Sequence, residues 1–425
     1  MYGLRVDGLR DDDPKDNDPR RNDSKDARAR SALTKKAPYG RDIDLEQFSL
    51  TAPKAPYEGD LRRLPPELAR QVLSAGIVME QKGRSGTYLQ KNHSVLHCQV
   101  RQDGVEILSI DDALDKYAWL RDYWWKMVPM DQDKYTAWAY LHPHHGYFIR
   151  ALPDRKTTFP VQACMYIEQD NLMQNVHNII IAEEGSELDV ITGCAAHSRM
   201  KKGLHIGISE FYVKKGARLT FTMIHNWAED MDVRPRSAAV VEASGIFISN
   251  YISMKPIRSL QMYPVTYLQG KDALARYYNI LVAPGGSELD VGSRVSLEAT
   301  GSRAEVVSRA ISAGGTIRAR GRLVGKAENI KAHLECRGLI LEGGGMIEAI
   351  PELEGHLPGI DLSHEAAVGK IAQEEINYLM ARGLPEAEAI AAIVRGFLTV
   401  DIVGLPQELQ TELNRVVEES EKTLL

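Results

Sequence analysis

The run NIIIAEEGSELDV at positions 178–190 returns as NILVAPGGSELDV at 279–291, an offset of 101 residues. Asn, Ile, Ala, Gly and the block Ser-Glu-Leu-Asp-Val recur at equivalent places. Lesser echoes, KKGARLTF, TGSRAEVV and VGKAENIKA, each set a glycine–alanine turn before a strand-like run. Units of one strand and one turn cannot bury their apolar faces alone, so repetition of this kind demands stacking. The span from about 147 to 350, short Val/Ile/Leu-rich runs between Gly, Ser and Asn turns, therefore reads as the core of a mainly β protein, a stacked β-solenoid. Strand alternation sends Leu188 and Leu289 inward and leaves Glu187, Asp189, Glu288 and Asp290 as corner and solvent-face residues. A carbohydrate-active β-helix enzyme is the rival reading. It needs paired acids from neighbouring coils along a groove, and no such pair stands out.

The flanks are of another kind. Residues 1–40 alternate Asp with Arg and Lys and hold few large apolar side chains, which predicts a disordered arm. Residues 41–146 read as a mixed N-terminal region. After Pro65-Pro66, Leu68, Val72, Leu73 and Ile77 approximate a helical stripe, and IDDALDKYAWLRDYWWKMV predicts an amphipathic helix whose Trp119, Tyr123 and Trp124 are core. The tract His142, His144 and His145 lies in a Pro/Gly loop and is left outside any metal site. Residues 351–425 read as helical from Leu362 onward. Val368, Ile371, Ala372, Ile376, Leu379 and Met380 form one stripe, Gly383 stops the helix, and Pro385 opens another with Ile390, Val394 and Phe397. After Pro406 a further amphipathic helix is expected.

Composition removes several classes of function. The net charge of -6 gives no basic footprint for nucleic acid, and Lys201-Lys202 and Lys214-Lys215 read as solvated strand ends. The N-terminus lacks the apolar core of a secretory signal, and no run of about 18 apolar residues occurs, which predicts a cytoplasmic protein with no membrane partner. Cys98, Cys164, Cys194 and Cys336 are widely spaced without a CxxC, against both a disulfide framework and a preformed zinc or ferredoxin loop. GRLVGKA at 321–327 has three residues between its glycines where a phosphate loop needs four, and Ala327 where it needs Ser or Thr. Any ATP chemistry must come from another chain.

The stretch from Cys336 to His364-Glu365 holds a thiol, an imidazole and a carboxylate, a donor set suited to iron or zinc. Ser363 also reads as a helix N-cap with Glu365 in the first turn, which accounts for those residues without a metal. The run LSHEAAVGKIAQEEINYLMARGLPEAEAIAAIVRGFL resembles the C-terminal signature of the SufB/SufD family, scaffold proteins of SUF iron-sulfur cluster assembly. The likeness extends through GYFIRA, VHNIIIAEEGSELDVITGC and LHIGISEFYVKKGARLTF and covers roughly residues 85–400. Cys336 upstream of a His-Glu pair resembles the SufB branch, since SufD typically carries Gly after that His.

The resemblance implies a right-handed parallel β-helix and a non-catalytic scaffold. It implies Cys336, His364 and Glu365 as cluster ligands, and Cys194 as the residue where sulfur is accepted inside the β-helix. The family often follows that cysteine with Ser/Thr-Ala-Pro, whereas this chain has Ala195-Ala196-His197. Cys98 and Cys164 read as buried small hydrophobes. The stripe of Ile371, Ile376, Leu379, Ile390, Val394 and Phe397 is expected to dock a SufC-like ABC-type ATPase, or else to cap the β-helix. Sulfur would come from a separate cysteine desulfurase. A [4Fe–4S] cluster wants four ligands, more than one chain offers here, which implies a second copy or a SufD-like subunit end to end. A flavin is permitted by the resemblance, and a SufD-like structural role without a cluster is the alternative.

Overall fold

A computed structural model describes residues 23–341 and 344–398. From Val161 to Lys370 the chain alternates between two sheets, each strand pairing in parallel with its counterpart one coil away; in two coils the strand on one sheet is broken in two, as Met231–Val233 with Arg236–Val241 and as Ser259–Met262 with Val265–Leu268. The result is a parallel β-solenoid of about eight turns with helices at both ends, as the repeat predicted. Coil length can be read from the register: Glu187 faces Arg218, 31 residues on, and Arg218 faces Ile246, 28 residues on. An offset of 101 residues is therefore about three and a half coils. Accordingly the two repeat copies turn opposite corners of the solenoid. The first joins strand Leu172–Ala182 to Glu187–Ala196 and the second joins Leu274–Pro284 to Glu288–Leu297, on exchanged sheets. Gly185 and Gly286 are the shared hinge, at φ +69° and +84°, a region where a side chain would be strained.

The inner faces of both sheets fill the lumen with one continuous core that includes Leu188, Phe221, Phe247, Tyr277, Leu289 and Leu334. Both repeat leucines point inward as expected. Asp189 and Asp290 lie on the outer face but are buried, Asp290 against Arg320 at 2.6 Å and Asp189 3.9 Å from Arg218.

Three helical pieces cover the outside. Pro66–Leu73 packs Leu68 and Val72 against Leu89, Cys164 and Ala195. The N-terminal layer lies over the other sheet. Here the expected long aromatic helix stops early: Ser109 caps Ile110–Lys116, a 3-10 turn spans Ala118–Asp122, and residues 124–128 form an irregular strap. The strap cannot be helical because the buried carboxylate of Glu210 takes the amides of Trp125, Met127 and Val128. The aromatic side chains are core as expected, Trp124 buried and Trp119 and Tyr123 packed at its margin. The arm expected over 1–40 is helical at Asp23–Ser31, where Arg28 pairs with Asp131 and Tyr140 donates to Asp26. Residues 1–22, and the helix expected after Pro406, lie outside the described residues.

The largest departure is at the C-terminal end. LSHEAAVGK was expected to begin a helix at Ser363, yet Asp361–Lys370 is a strand paired along all ten residues with Lys331–Ile340. The next-to-last coil offers a full unpaired edge, and its hydrogen bonds outweigh the modest helical preference of the segment. Ser363 caps nothing and instead meets His333 Nδ1 at 2.9 Å. The solenoid thus continues past 350 to Lys370, and the helical region reduces to Gln373–Met380 and Glu386–Leu398 in the described residues.

Candidate functional site

The last two coils place the predicted ligands. In the ladder between Lys331–Ile340 and Asp361–Lys370, Leu334 faces His364, Glu335 faces Glu365 and Cys336 faces Ala366. Parallel partners project to the same side, and neighbours along a strand to opposite sides. Leu334 and Cys336 belong to the lumen core. His364 therefore sits on the lumen side, one coil nearer the end and one same-face step from Cys336, roughly 8 Å between Cα atoms from strand spacing and rise. It is exposed, since no further coil among the described residues covers it. Glu365 is on the outer face, where Arg337 bridges it at 3.2 Å and Glu335 at 2.9 Å. Arg309 also pairs with Glu335.

The expected trio is thus split. Cys336 and His364 share a face, whereas the Glu365 carboxylate is turned away with Arg337. Among the described residues no three His, Cys, Asp or Glu side chains gather closely enough to hold a metal ion. Burial, with some help from Glu335, pushes the Cys336 thiol up to about 11. A thiol in that state ligates once an incoming cation takes the place of its proton.

Cys194 is also in the lumen, 1% exposed, its thiol raised by burial. Five coil steps separate its strand from that of Cys336, roughly 24 Å at ordinary strand spacing. Thr192, Met223, Tyr251, Asn279, Ser308 and Cys336 form one inward column across those steps. Asn279 donates to Ser308 Oγ at 3.2 Å, and a cavity of about 30 Å³ is lined by Met223, Tyr251 and Asn279. Cys164 is fully buried as expected, whereas Cys98 is only partly so.

The helical stripe is largely used by the chain itself. Ile371, Ile390, Val394 and Phe397 pack on the outer sheet face against Ile252, Ile280 and Leu339, and Ile376 is buried. Leu379 is half-buried, and the large apolar side chains exposed on the described part of this hairpin are Tyr378 and Met380. The histidine loop is likewise structural: His144 stacks on His93 and His145 contacts Asp111. Glu187 engages Lys156 and Arg218, and lies three and a half coils from its counterpart Glu288, so these acids form no sugar-cleaving pair.

Residues 165–397 match the family described as SUF system FeS cluster assembly, SufBD core domain. This chain belongs to the SufBD family. An iron-sulfur cluster assembly SufBD family protein of Methanothermobacter thermautotrophicus is 48% identical over 401 residues, covering 93% of this chain and 98% of the relative. One from Archaeoglobus fulgidus is 51% identical over 350 residues, 82% and 94% of the two chains. The Bacillus subtilis iron-sulfur cluster assembly protein SufB is 30% identical over 365 residues, 83% and 78% of the two. A role in iron-sulfur cluster assembly follows from this membership. No helix of the described residues is long and apolar enough to cross a membrane.

In this SufBD chain, sequence reasoning missed the neighbours that only coil stacking supplies. Ser308 precedes Cys336 by 28 residues and His225 follows Cys194 by 31, each one coil away. The coil length was the signal that would have found them.

Proposed function

We propose that this chain is the SufB-like scaffold of a SUF complex, a non-catalytic subunit on which a transient iron-sulfur cluster is built and from which it is passed on. One observation carries the reading: Cys336 and His364 lie on the same inner face at the open end of the solenoid. Among the described residues nothing covers the inner face of the last coil, and strands Met346–Gly355 and Asp361–Lys370 each have a coil neighbour on one side only. Unpaired strand edges with Met346, Leu353 and Val368 exposed invite a second solenoid end. A second copy, or a SufD-like subunit, would bring further ligands against Cys336 and His364. Such a junction would also give Glu365 a way in from the outer face once Arg337 releases it. The four ligands of a [4Fe–4S] cluster are then met across the junction.

Cys194 is the sulfur-accepting residue in this reading, with a cysteine desulfurase as the source. The protein works in the cytoplasm, and a flavin is compatible with the family role. The motor is a SufC-like ABC-type ATPase. With the predicted stripe packed on the solenoid, its contact falls on the outward face of the hairpin around Tyr378 and Met380.

Anaerobic reconstitution with iron and sulfide, followed by visible charge-transfer absorption and iron counting, tests the scaffold role. The wild type is expected to take up a cluster, and Cys336→Ala and His364→Ala to lose it. A wild type that stays colourless with and without its ATPase and solenoid partners would move the chain to a SufD-like structural role.

A further inference from the structure

Cys194 does not sit alone in the lumen. Its ladder partner one coil on is His225, on the same inward face, and the next residue in that column is Ser253. His225 Nδ1 meets the hydroxyl of Tyr251 at 2.7 Å, and Ser253 also interacts with that hydroxyl. Trp227 packs its ring near both His225 and His205, 5.8 and 4.9 Å between centroids. His205 is tied through Nδ1 to Gln174 at 2.9 Å, and Tyr147 is tied to Thr192 at 2.9 Å. All of these groups are buried. Of the titratable neighbours, Tyr147 and Tyr251 are weak acids, Cys164 faces the opposite side of the sheet, and His205 is committed to Gln174. His225 is the one base in the next coil along Cys194's own column.

We propose that His225 is the proton acceptor of Cys194, and that Cys194, His225 and Tyr251 form a buried sulfur-accepting group whose substrate class is sulfane sulfur. This rests on the reading of the chain as a cluster scaffold and adds the residue that makes its inner cysteine reactive. With Nδ1–H donated to Tyr251, the lone pair on Nε2 is left for the thiol proton. A thiolate alone or an imidazolium alone is costly in this lumen, where burial raises the Cys194 thiol and lowers His225. Formed together they carry no net charge, and a single proton transfer between neighbouring coils creates the pair. The two are not hydrogen-bonded at rest, so a side-chain rotation of the imidazole precedes the transfer.

The step balances without an added oxidant. The Cys194 thiolate attacks the outer sulfur of a persulfide, R–S–SH. A bond forms between Cys194 Sγ and that sulfur, the S–S bond of the donor breaks, and R–S⁻ departs with the electron pair. The proton held by His225 neutralises the departing thiolate. The products are Cys194–S–SH and R–SH.

The test uses the full-length chain without iron and inorganic polysulfide as the probe, with persulfide at each cysteine read by peptide mass spectrometry from about pH 6 to 9. The wild type should acquire persulfide at Cys194. His225→Gln should slow it at least tenfold near pH 7 and move the rate profile to higher pH, while labelling of the partly exposed Cys98 stays unchanged. Tyr251→Phe, which removes the partner of Nδ1 but keeps the ring, should slow it several-fold. A His225→Gln protein that folds, by its far-UV spectrum and Cys98 labelling, and accepts sulfur at the wild-type rate and pH profile would overturn the assignment. So would a wild type whose Cys194 takes up no sulfur. Reconstitution with free iron and sulfide bypasses Cys194, so success there with failure here condemns the sulfur-accepting group and spares the scaffold.

Discussion

Glu210→Gln should release the aromatic strap from the solenoid. Glu210 is fully buried, and its carboxylate accepts four hydrogen bonds. Oε2 receives Trp125 N at 2.9 Å and His177 Nε2 at 2.8 Å, and Oε1 receives Val128 N at 3.1 Å and the amide of Met127. His177 stacks on Trp124 at 3.8 Å, and its Nδ1 meets no partner. Burial pushes this imidazole below its ordinary value despite Glu210. A neutral ring protonated on Nε2 satisfies both facts, because a second N–H at Nδ1 would be a buried donor without an acceptor. All four groups that meet Glu210 are N–H donors, so both of its oxygens act as acceptors, and three backbone amides of one irregular segment depend on them. Trp125, at φ +55°, holds a left-handed backbone conformation that this grip compensates.

A glutamine keeps the shape but replaces one acceptor oxygen with an NH2. Whichever way the amide turns, two of the four donors then face another donor. At about 1–3 kcal/mol for each buried unpaired group, with loss of the charge assistance in the other two bonds, the local cost is about 3–5 kcal/mol. Amide hydrogen exchange reads this directly, since the strap opens without unfolding the solenoid. Peptides spanning 124–128 should exchange about a hundredfold or more faster in the variant, while those spanning 303–340 keep their rates. Strap exchange within threefold of wild type would refute the claim that the carboxylate is what holds this layer down.

Acid should destabilise the protein through its lumen histidines. Burial lowers His205 from 6.5 to about 3, so the folded state binds its proton less readily than the unfolded one. Stability is complete above about pH 6.5 and falls as the pH drops toward 3, by about 3 kcal/mol near pH 4.5. Urea melts at the two pH values measure the loss, and His205→Gln should flatten it; an equally steep slope in that variant would place the titrating group elsewhere. Gly321→Ala should disturb the site from below, because a Cβ there would come within 1.7 Å of Leu334 Cδ1, the side chain whose ladder partner is His364. An overpacking cost of about 1–3 kcal/mol and weaker iron uptake are expected, and an unchanged melt would mean that the lumen has slack. Arg337→Gln should change stability by less than about 1 kcal/mol, since Arg337 and Glu365 are about half exposed and the more buried Glu335 keeps its pair with Arg309; a loss above about 2 kcal/mol in the melt would contradict that.

The solenoid was legible because its signal is repetition. The two copies of Ser-Glu-Leu-Asp-Val place leucines inward at both corners, and the structure agrees. What a single motif could not convey was phase: an offset of three and a half coils puts the copies on exchanged sheets, which appears only when each coil is counted. The end of the solenoid was illegible for a different reason. Ala366, Ala367 and the acidic Glu365 read locally as helix, and no residue in the segment forbids it. The strand arises from the waiting edge of Lys331–Ile340, a partner set by the fold and invisible to local preference. The aromatic strap failed in the same way, its helix undone by Glu210 some 85 residues away.

This error about local structure changes the chemistry of the site. On a helix, His364 and Glu365 would point about 100° apart and would already need help from elsewhere to hold one ion together. On a strand they point to opposite sides, so a single chain cannot present Cys336, His364 and Glu365 to one ion without rearranging its last coil. Among the described residues that coil is bonded on one side only and bears exposed Met346, Leu353 and Val368. Contact with a second solenoid end would cover the apolar residues, supply the missing edge and determine which face each carboxylate meets. A scaffold whose ligands are completed by assembly can release its cluster when the halves part, because separation removes ligands instead of having to break every bond at a finished site. On the scaffold reading proposed above, the weakness of the terminal coil and the incompleteness of the proposed ligand set are two consequences of the same edge.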